Sequence, residues 1–161
     1  MTINPDLQGR NYPAAEVYDV GREKIREFAR AVKATHPAHF DLDAAKALGH
    51  SDLVAPPTFA IIIAQRADAQ LIEDPESGID FSRVVHADQR FVHHRPIFAG
   101  DRLVAELHVD GVRAMGGGAM ITTRSEIFAL AGEGTSGGSP DPSREAVATA
   151  TSSILVRGEG Q

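Results

Sequence analysis

Residues 57 to 72, PTFAIIIAQRADAQLI, leave the rest of the chain few options. Phe59, Ala60, Ile61, Ile62, Ile63, Ala64, Ala67, Ala69, Leu71 and Ile72 place apolar groups on nearly every face of the helix implied. A helix apolar all round must be buried on most sides. The run is shorter than the roughly 18 apolar residues of a membrane span, so the rest of the chain has to wrap around it. Pro57 suits the first helical position because it has no N–H to lose there, and the Pro56-Pro57 pair blocks extension backwards.

The remaining sequence supplies the wrapper. Glu16 to Val20 alternates weakly and reads as a short first strand. GREKIREFARAVKA follows, with Ile25, Phe28, Ala29 and Val32 at helical spacing against charged neighbours, and Pro37 is expected to end that helix. His36 to Phe40 is then an ordered turn. Asp41 or Asp43 caps a short helix through AAKAL, stopped by Gly49. After the buried helix comes a loop, EDPESGIDFS, and then four β-like segments: Val84 to His93, Arg102 to Arg113, Ala119 to Leu130 and Ala146 to Val156. In the second, Leu103, Ala105, Leu107 and Val109 alternate with Arg102, Val104, Glu106 and His108, giving one core face and one exposed face. Gly116-Gly117-Gly118 signals a hairpin. Residues 131–145, AGEGTSGGSPDPSRE, cannot bury a core and are expected to form a mobile loop.

With 161 residues the chain is expected to be one domain, 1–161, able to bury a single core without staples. Strands wrapped round one helix make an α+β architecture of the hot-dog kind, a long central helix inside a curved antiparallel sheet. Such a sheet needs cover at its edges, so a dimer through an edge strand is expected. The absence of Cys excludes disulfides and thiolate chemistry. A net charge of −6 argues against a nucleic-acid partner, and the N-terminus lacks the pattern of a secretory signal, which points to the cytoplasm.

Two segments resemble the MaoC-like (3R)-hydroxyacyl-thioester hydratases and dehydratases. Ala34-Thr35-His36-Pro37-Ala38-His39 matches that family's D-x-N-P-x-H segment, and Arg95-Pro96-Ile97-Phe98-Ala99-Gly100-Asp101-Arg102-Leu103 matches its RP-x-x-AGD-x-L segment. The likeness looks closest to the N-terminal-domain subgroup, which includes the accessory A-type subunit of mycobacterial (3R)-hydroxyacyl-carrier-protein dehydratase and related actinobacterial proteins. The resemblance implies that His39 fills the catalytic histidine position and His36 the turn-stabilising asparagine position, with a catalytic part for His36 as the alternative. The family's aspartate is replaced by Ala34. The glycine amide that opens the family's buried helix has no counterpart in Pro56-Pro57, so an oxyanion donor has to come from Thr58 or Phe59.

Dehydrating a 3-hydroxyacyl thioester requires a base for the α-proton, an acid for the leaving hydroxyl and a dipole at the carbonyl. Histidine suits the acid–base work, since its unperturbed imidazole titrates at about 6.5. Asp41, Asp43 or a partner's carboxylate could complete the pair. Arg90, Arg95 and Arg102 are candidates to contact the phosphates of CoA or a phosphopantetheine arm, and Ile61, Ile62, Ile63 and Leu71 to line an acyl tunnel. His86, Asp88, His93 and His94 are not expected to hold metal, because adjacent strand residues point to opposite faces, and no cofactor is implied.

The leading expectation is an accessory, acyl-binding subunit beside a MaoC-like partner with the full pair, acting on an acyl-CoA or acyl-carrier-protein substrate. The rivals are an autonomous homodimeric hydratase using His39 and a non-motif carboxylate, a non-enzymatic acyl-thioester binding module, and a thioesterase. The last lacks a carboxylate early in the buried helix, where Asp68 lies near the far end.

Overall fold

The computed structural model describes residues 3–131 and 144–158. Two short strands, β1 (Asn11–Tyr12) and β2 (Tyr18–Asp19), precede helix α1 (Arg22–Ala31). A 3-10 turn at Pro37–His39 leads to α2 (Leu42–Ala47) and then to α3 (Ala60–Glu73). Four long strands follow, β3 (Val84–His93), β4 (Arg102–Met115), β5 (Gly118–Leu130) and β6 (Arg144–Val156). All pairings are antiparallel in the order β1-β4-β5-β6-β3, with β2 also on β4.

This sheet curls round α3, the hot-dog arrangement expected from the order of elements. α3 buries Ala60, Ile63, Ala64, Ala67 and Leu71 and packs against β4, β5 and β6. Alanine at three of those positions lets the helix axis sit close to the sheet. The sheet answers with Leu103, Ala105, Leu107 and Val109 of β4 and Ile121, Thr123, Ser125, Ile127 and Ala129 of β5, each buried at alternate positions as a pleat requires. No helix among the described residues is long and apolar enough to cross a membrane.

Several boundaries differ from the sequence expectation. α3 starts at Ala60 instead of Pro57: residues 57–59 form a turn in which the Phe59 N–H donates to the Pro56 carbonyl at 2.9 Å. α1 stops at Ala31, well before Pro37. Lys33 adopts φ 58°, the Lys33 N–H donates to Arg30 and the Ala34 N–H to Ala29, which is the Schellman closure of a helix. Val32 therefore leaves the apolar stripe and lies exposed. The first strand is shorter than expected and has a second short strand before it. The outward face of β4 is not uniformly exposed, since Val104 is buried there. Most of the loop expected over 131–145 falls on residues 132–143, outside the described residues, while Arg144 and Glu145 open β6.

Candidate functional site

His39 ends the 3-10 turn that Pro37 begins. Proline fixes the φ of that first position, and the His36 side chain caps the turn, its Nδ1 accepting from the Ala38 N–H at 3.2 Å. His36 is exposed, and its side chain bonds within the turn. Asp41 likewise caps α2, accepting from the Ala44 N–H at 2.8 Å.

The His39 ring is held from the other side by the extended segment ahead of α3. The Val54 N–H donates to the Ala38 carbonyl at 3.2 Å, and His39 Nδ1 lies 2.6 Å from the Val54 carbonyl oxygen. A carbonyl only accepts, so Nδ1 carries the hydrogen and a neutral His39 keeps its lone pair on Nε2. Val54 is fixed in turn by a bridge to Phe98, by the Ala55 N–H on the Ile97 carbonyl at 2.8 Å and by the Ala99 N–H on the Leu53 carbonyl at 3.0 Å. The two motifs therefore meet: the RP-x-x-AGD turn supports the strand that orients the histidine.

Arg95 secures that turn. Its guanidinium donates to both oxygens of Asp101, at 2.8 and 3.0 Å, and pairs with Glu145 at 3.0 Å, and these partners raise its pKa. Asp101 also accepts from the Phe98 N–H at 2.9 Å. Arg102 pairs with Asp19 at 3.4 Å and Arg90 is exposed on β3, so two of the three arginines expected as a basic patch are already matched by carboxylates.

A cavity of about 520 Å³ opens beside His39, lined also by Val54, Pro56, Pro57, His93, His94 and Arg95. His93 and His94 both border it, contrary to the expectation from strand alternation, because β3 ends at His93 and His94 lies beyond the pleat. No group of three potential ligands able to hold a metal occurs among the described residues. No carboxylate is among the described residues lining this cavity. Asp41 and Asp43, offered by the sequence as substitutes for the missing acid, belong to the α2 cap and first turn instead. Ala34, in the acid's place, brings only a methyl group.

The residues expected to bind substrate at the start of α3 divide. Phe59 is fully buried, packed edge-on against Tyr18 and Phe28, and its N–H is used within the turn. Ile62 is partly buried against the core. Thr58 is exposed, and no described group accepts from its N–H. Of the two proposed oxyanion donors, Thr58 alone keeps a free amide. Val54 was not legible as a site residue, because its contribution is a backbone carbonyl that any side chain would permit.

Residues 6–134 match the family described as FAS1-like, dehydratase domain region. A UPF0336 protein of Clavibacter michiganensis is 49% identical over 159 residues, 99% of either chain. Among solved structures, a chain of the C-terminally truncated HadBC (3R-hydroxyacyl-ACP dehydratase) complex of Mycobacterium tuberculosis is 36% identical. It superimposes with a TM-score of 0.75 over 93% of this chain and 97% of that one. A MaoC-like dehydratase is 33% identical with a TM-score of 0.79, over 94% of this chain and 42% of the longer one. The two motifs, the curled sheet and these likenesses agree: the chain belongs to the family of the FAS1-like dehydratase domain region, among MaoC-like hot-dog proteins.

Proposed function

We propose that the chain is a subunit of a (3R)-hydroxyacyl-thioester dehydratase or enoyl hydratase, and that it acts as the accessory, acyl-binding member. A second MaoC-like subunit carries the complete Asp and His pair. The observation that carries this reading is the cavity beside His39, where the histidine is anchored through Nδ1 but none of the described lining residues is a carboxylate. An imidazole with one free nitrogen can take or give a proton. Without an acid partner it has nothing to orient a water or protonate the departing hydroxyl while it holds the α-proton.

The similarity to a chain of a dehydratase complex supports a heteromeric setting. In that setting His39 and the free Thr58 amide bind and orient the thioester end, and the partly buried Ile62 borders the acyl path. Arg95 serves as a positioning residue that holds the turn beneath the cavity. The substrate is an acyl-CoA or acyl-carrier protein, and no cofactor takes part. We place the whole chain, residues 1–161, in one domain.

The test is hydration of crotonyl-CoA and of a longer enoyl-CoA, followed by loss of enoyl absorbance, for this chain alone and mixed with a full-pair MaoC-like subunit. Activity only in the mixture is the expected result. Turnover by the chain alone at an ordinary enzymatic rate overturns the accessory role and favours a homodimer using His39, in which case His39→Ala abolishes it. Saturable thioester binding with no turnover in either arrangement makes the protein a binding module.

A further inference from the structure

A second cavity, sharing no lining residue with the first, lies between the C-terminal half of α3 and strands β3, β5 and β6. Its volume, about 660 Å³, falls within the roughly 300–1,000 Å³ typical of small-molecule sites. Leu71, Ile72, Val84 and Ile154 supply apolar walls, and Phe81, 70% exposed, stands among the lining residues. Such a wall takes a hydrocarbon body. The charge in the cavity selects what that body carries.

Asp68 faces this space from α3. Its Oδ1 accepts from Thr123 Oγ1 at 3.2 Å, and Thr123 is itself 3% exposed. One hydroxyl is poor provision for a carboxylate with about four acceptor positions. The neighbouring Ser152 hydroxyl gives no help, since it donates to Gln89 Oε1 at 2.6 Å. Burial raises the Asp68 carboxyl to about 6, so it is largely ionised above neutral pH. Among the described lining residues the other ionisable groups are Glu73 and His86, and none is Lys or Arg. The site thus combines an apolar wall, a largely buried carboxylate and a second acid, with the His86 imidazole as the one described lining group able to carry positive charge against them. Anions, including fatty acids and the phosphates of a thioester carrier, meet repulsion there.

We propose that this cavity is a second ligand site, separate from the His39 cavity, that takes a small lipophilic molecule bearing an ammonium group, with the Asp68 carboxylate receiving the cation. The ammonium supplies both the counter-charge and the hydrogen-bond donors that Thr123 alone does not, while the alkyl body covers Ile72, Val84 and Ile154.

The experiment is an NMR titration of the full-length chain at pH 7.5 with three probes of equal length, hexylammonium, hexanol and hexanoate. Hexylammonium is expected to perturb the Thr123 and Ser152 amide signals and to bind about tenfold tighter than hexanol, the order supplied by one charge-assisted hydrogen bond. Hexanoate is expected to bind weakest. Asp68→Asn should remove the difference between hexylammonium and hexanol. Thr123→Val, which keeps the carboxylate, should preserve it. Hexanoate binding as tightly as hexylammonium, an ammonium preference surviving Asp68→Asn, its loss in Thr123→Val, or no perturbation at these residues each overturns the proposal.

Discussion

Asp68 bears a cost that can be read from pH. Its carboxyl is raised from 3.8 to about 6, chiefly by burial, with the Thr123 hydroxyl and the His86 charge pulling in the other direction. The folded state therefore holds the proton more tightly than the unfolded chain does. This contribution favours folding most below about pH 4, is lost as pH rises through about 6, and leaves the full penalty above. A shift of about two pKa units corresponds to roughly 3 kcal/mol. Asp68→Asn keeps an acceptor for Thr123 and abolishes the charge, so urea unfolding should show a gain of about 1–3 kcal/mol at pH 8 and little gain at pH 4. An equal gain at both pH values would show that charge burial is not the source. Asp101 is better provided with donors, because its carboxylate accepts from the Arg95 guanidinium and the Phe98 N–H together. Asp101→Ala leaves the Phe98 N–H without its acceptor and the Arg95 guanidinium with Glu145 as its remaining carboxylate, and should cost about 2–4 kcal/mol in a denaturant titration. Because that turn supports Val54, the His39 ring signals should also broaden or shift. A stability loss with unchanged His39 signals would separate the turn from the site.

At the level of elements, what the sequence makes legible follows from what enforces each element. The long strands and α3 are written as periodicity and unbroken apolar runs, so all four long strands come within two residues of the structure at both ends. β1 and β2 are two residues each, and their pairing with β4 selects them instead of any local preference. The end of α1 depends on a lysine in the left-handed region, which no lysine announces. In the site, His39 and its anchoring turn are legible through their motifs. The Asp68 cavity is not, since the carboxylate becomes buried through tertiary packing, against β3 and against β5 and β6, the latter two more than fifty residues away. The β4–β5 hairpin gives a sharper test. Gly116 and Gly117 take φ values of 49° and 89°, whereas Gly118 is required by space: a Cβ there would lie 2.2 Å from the Val156 carbonyl oxygen. Gly118→Ala forces a methyl group against the Val156 carbonyl at the end of the β5–β6 ladder. A loss of about 2 kcal/mol or more is expected by thermal or urea unfolding, beyond the usual surface substitution of within about 0.5 kcal/mol. A neutral result would mean that the hairpin end relaxes without cost. Within α3, Ala67→Leu should cost about 1–3 kcal/mol, because the helix has no room to move off the sheet.

Across the whole molecule the two ends of the sheet are unlike. β1 and β2 both lie along the outer side of β4, whereas β3 pairs with β6 alone, and its other edge meets no strand among the described residues. A ten-residue free edge is a template for another chain. Val85 and Val92 on this strand are 43% and 49% exposed, which adds apolar surface to the unpaired backbone groups. The bulge between His86 and Asp88 and the exposed Asp88 and Arg90 interrupt the strand without closing it off. The edge is therefore the expected seat of association, with a second copy or with the MaoC-like partner proposed above. Burying a valine completely is worth about 1.5–3 kcal/mol, so covering the exposed half of two of them contributes on the order of 2 kcal/mol beyond the ladder itself. Replacing both by lysine removes that gain and sets charge against the incoming strand. The double variant should weaken association at least tenfold, measured by sedimentation equilibrium, while circular dichroism stays unchanged because neither side chain supports the core. Wild-type protein that stays monomeric both alone and with a full-pair subunit would reject β3 as the interface. So would association that the two lysines leave untouched, since any other contact surface would be indifferent to them.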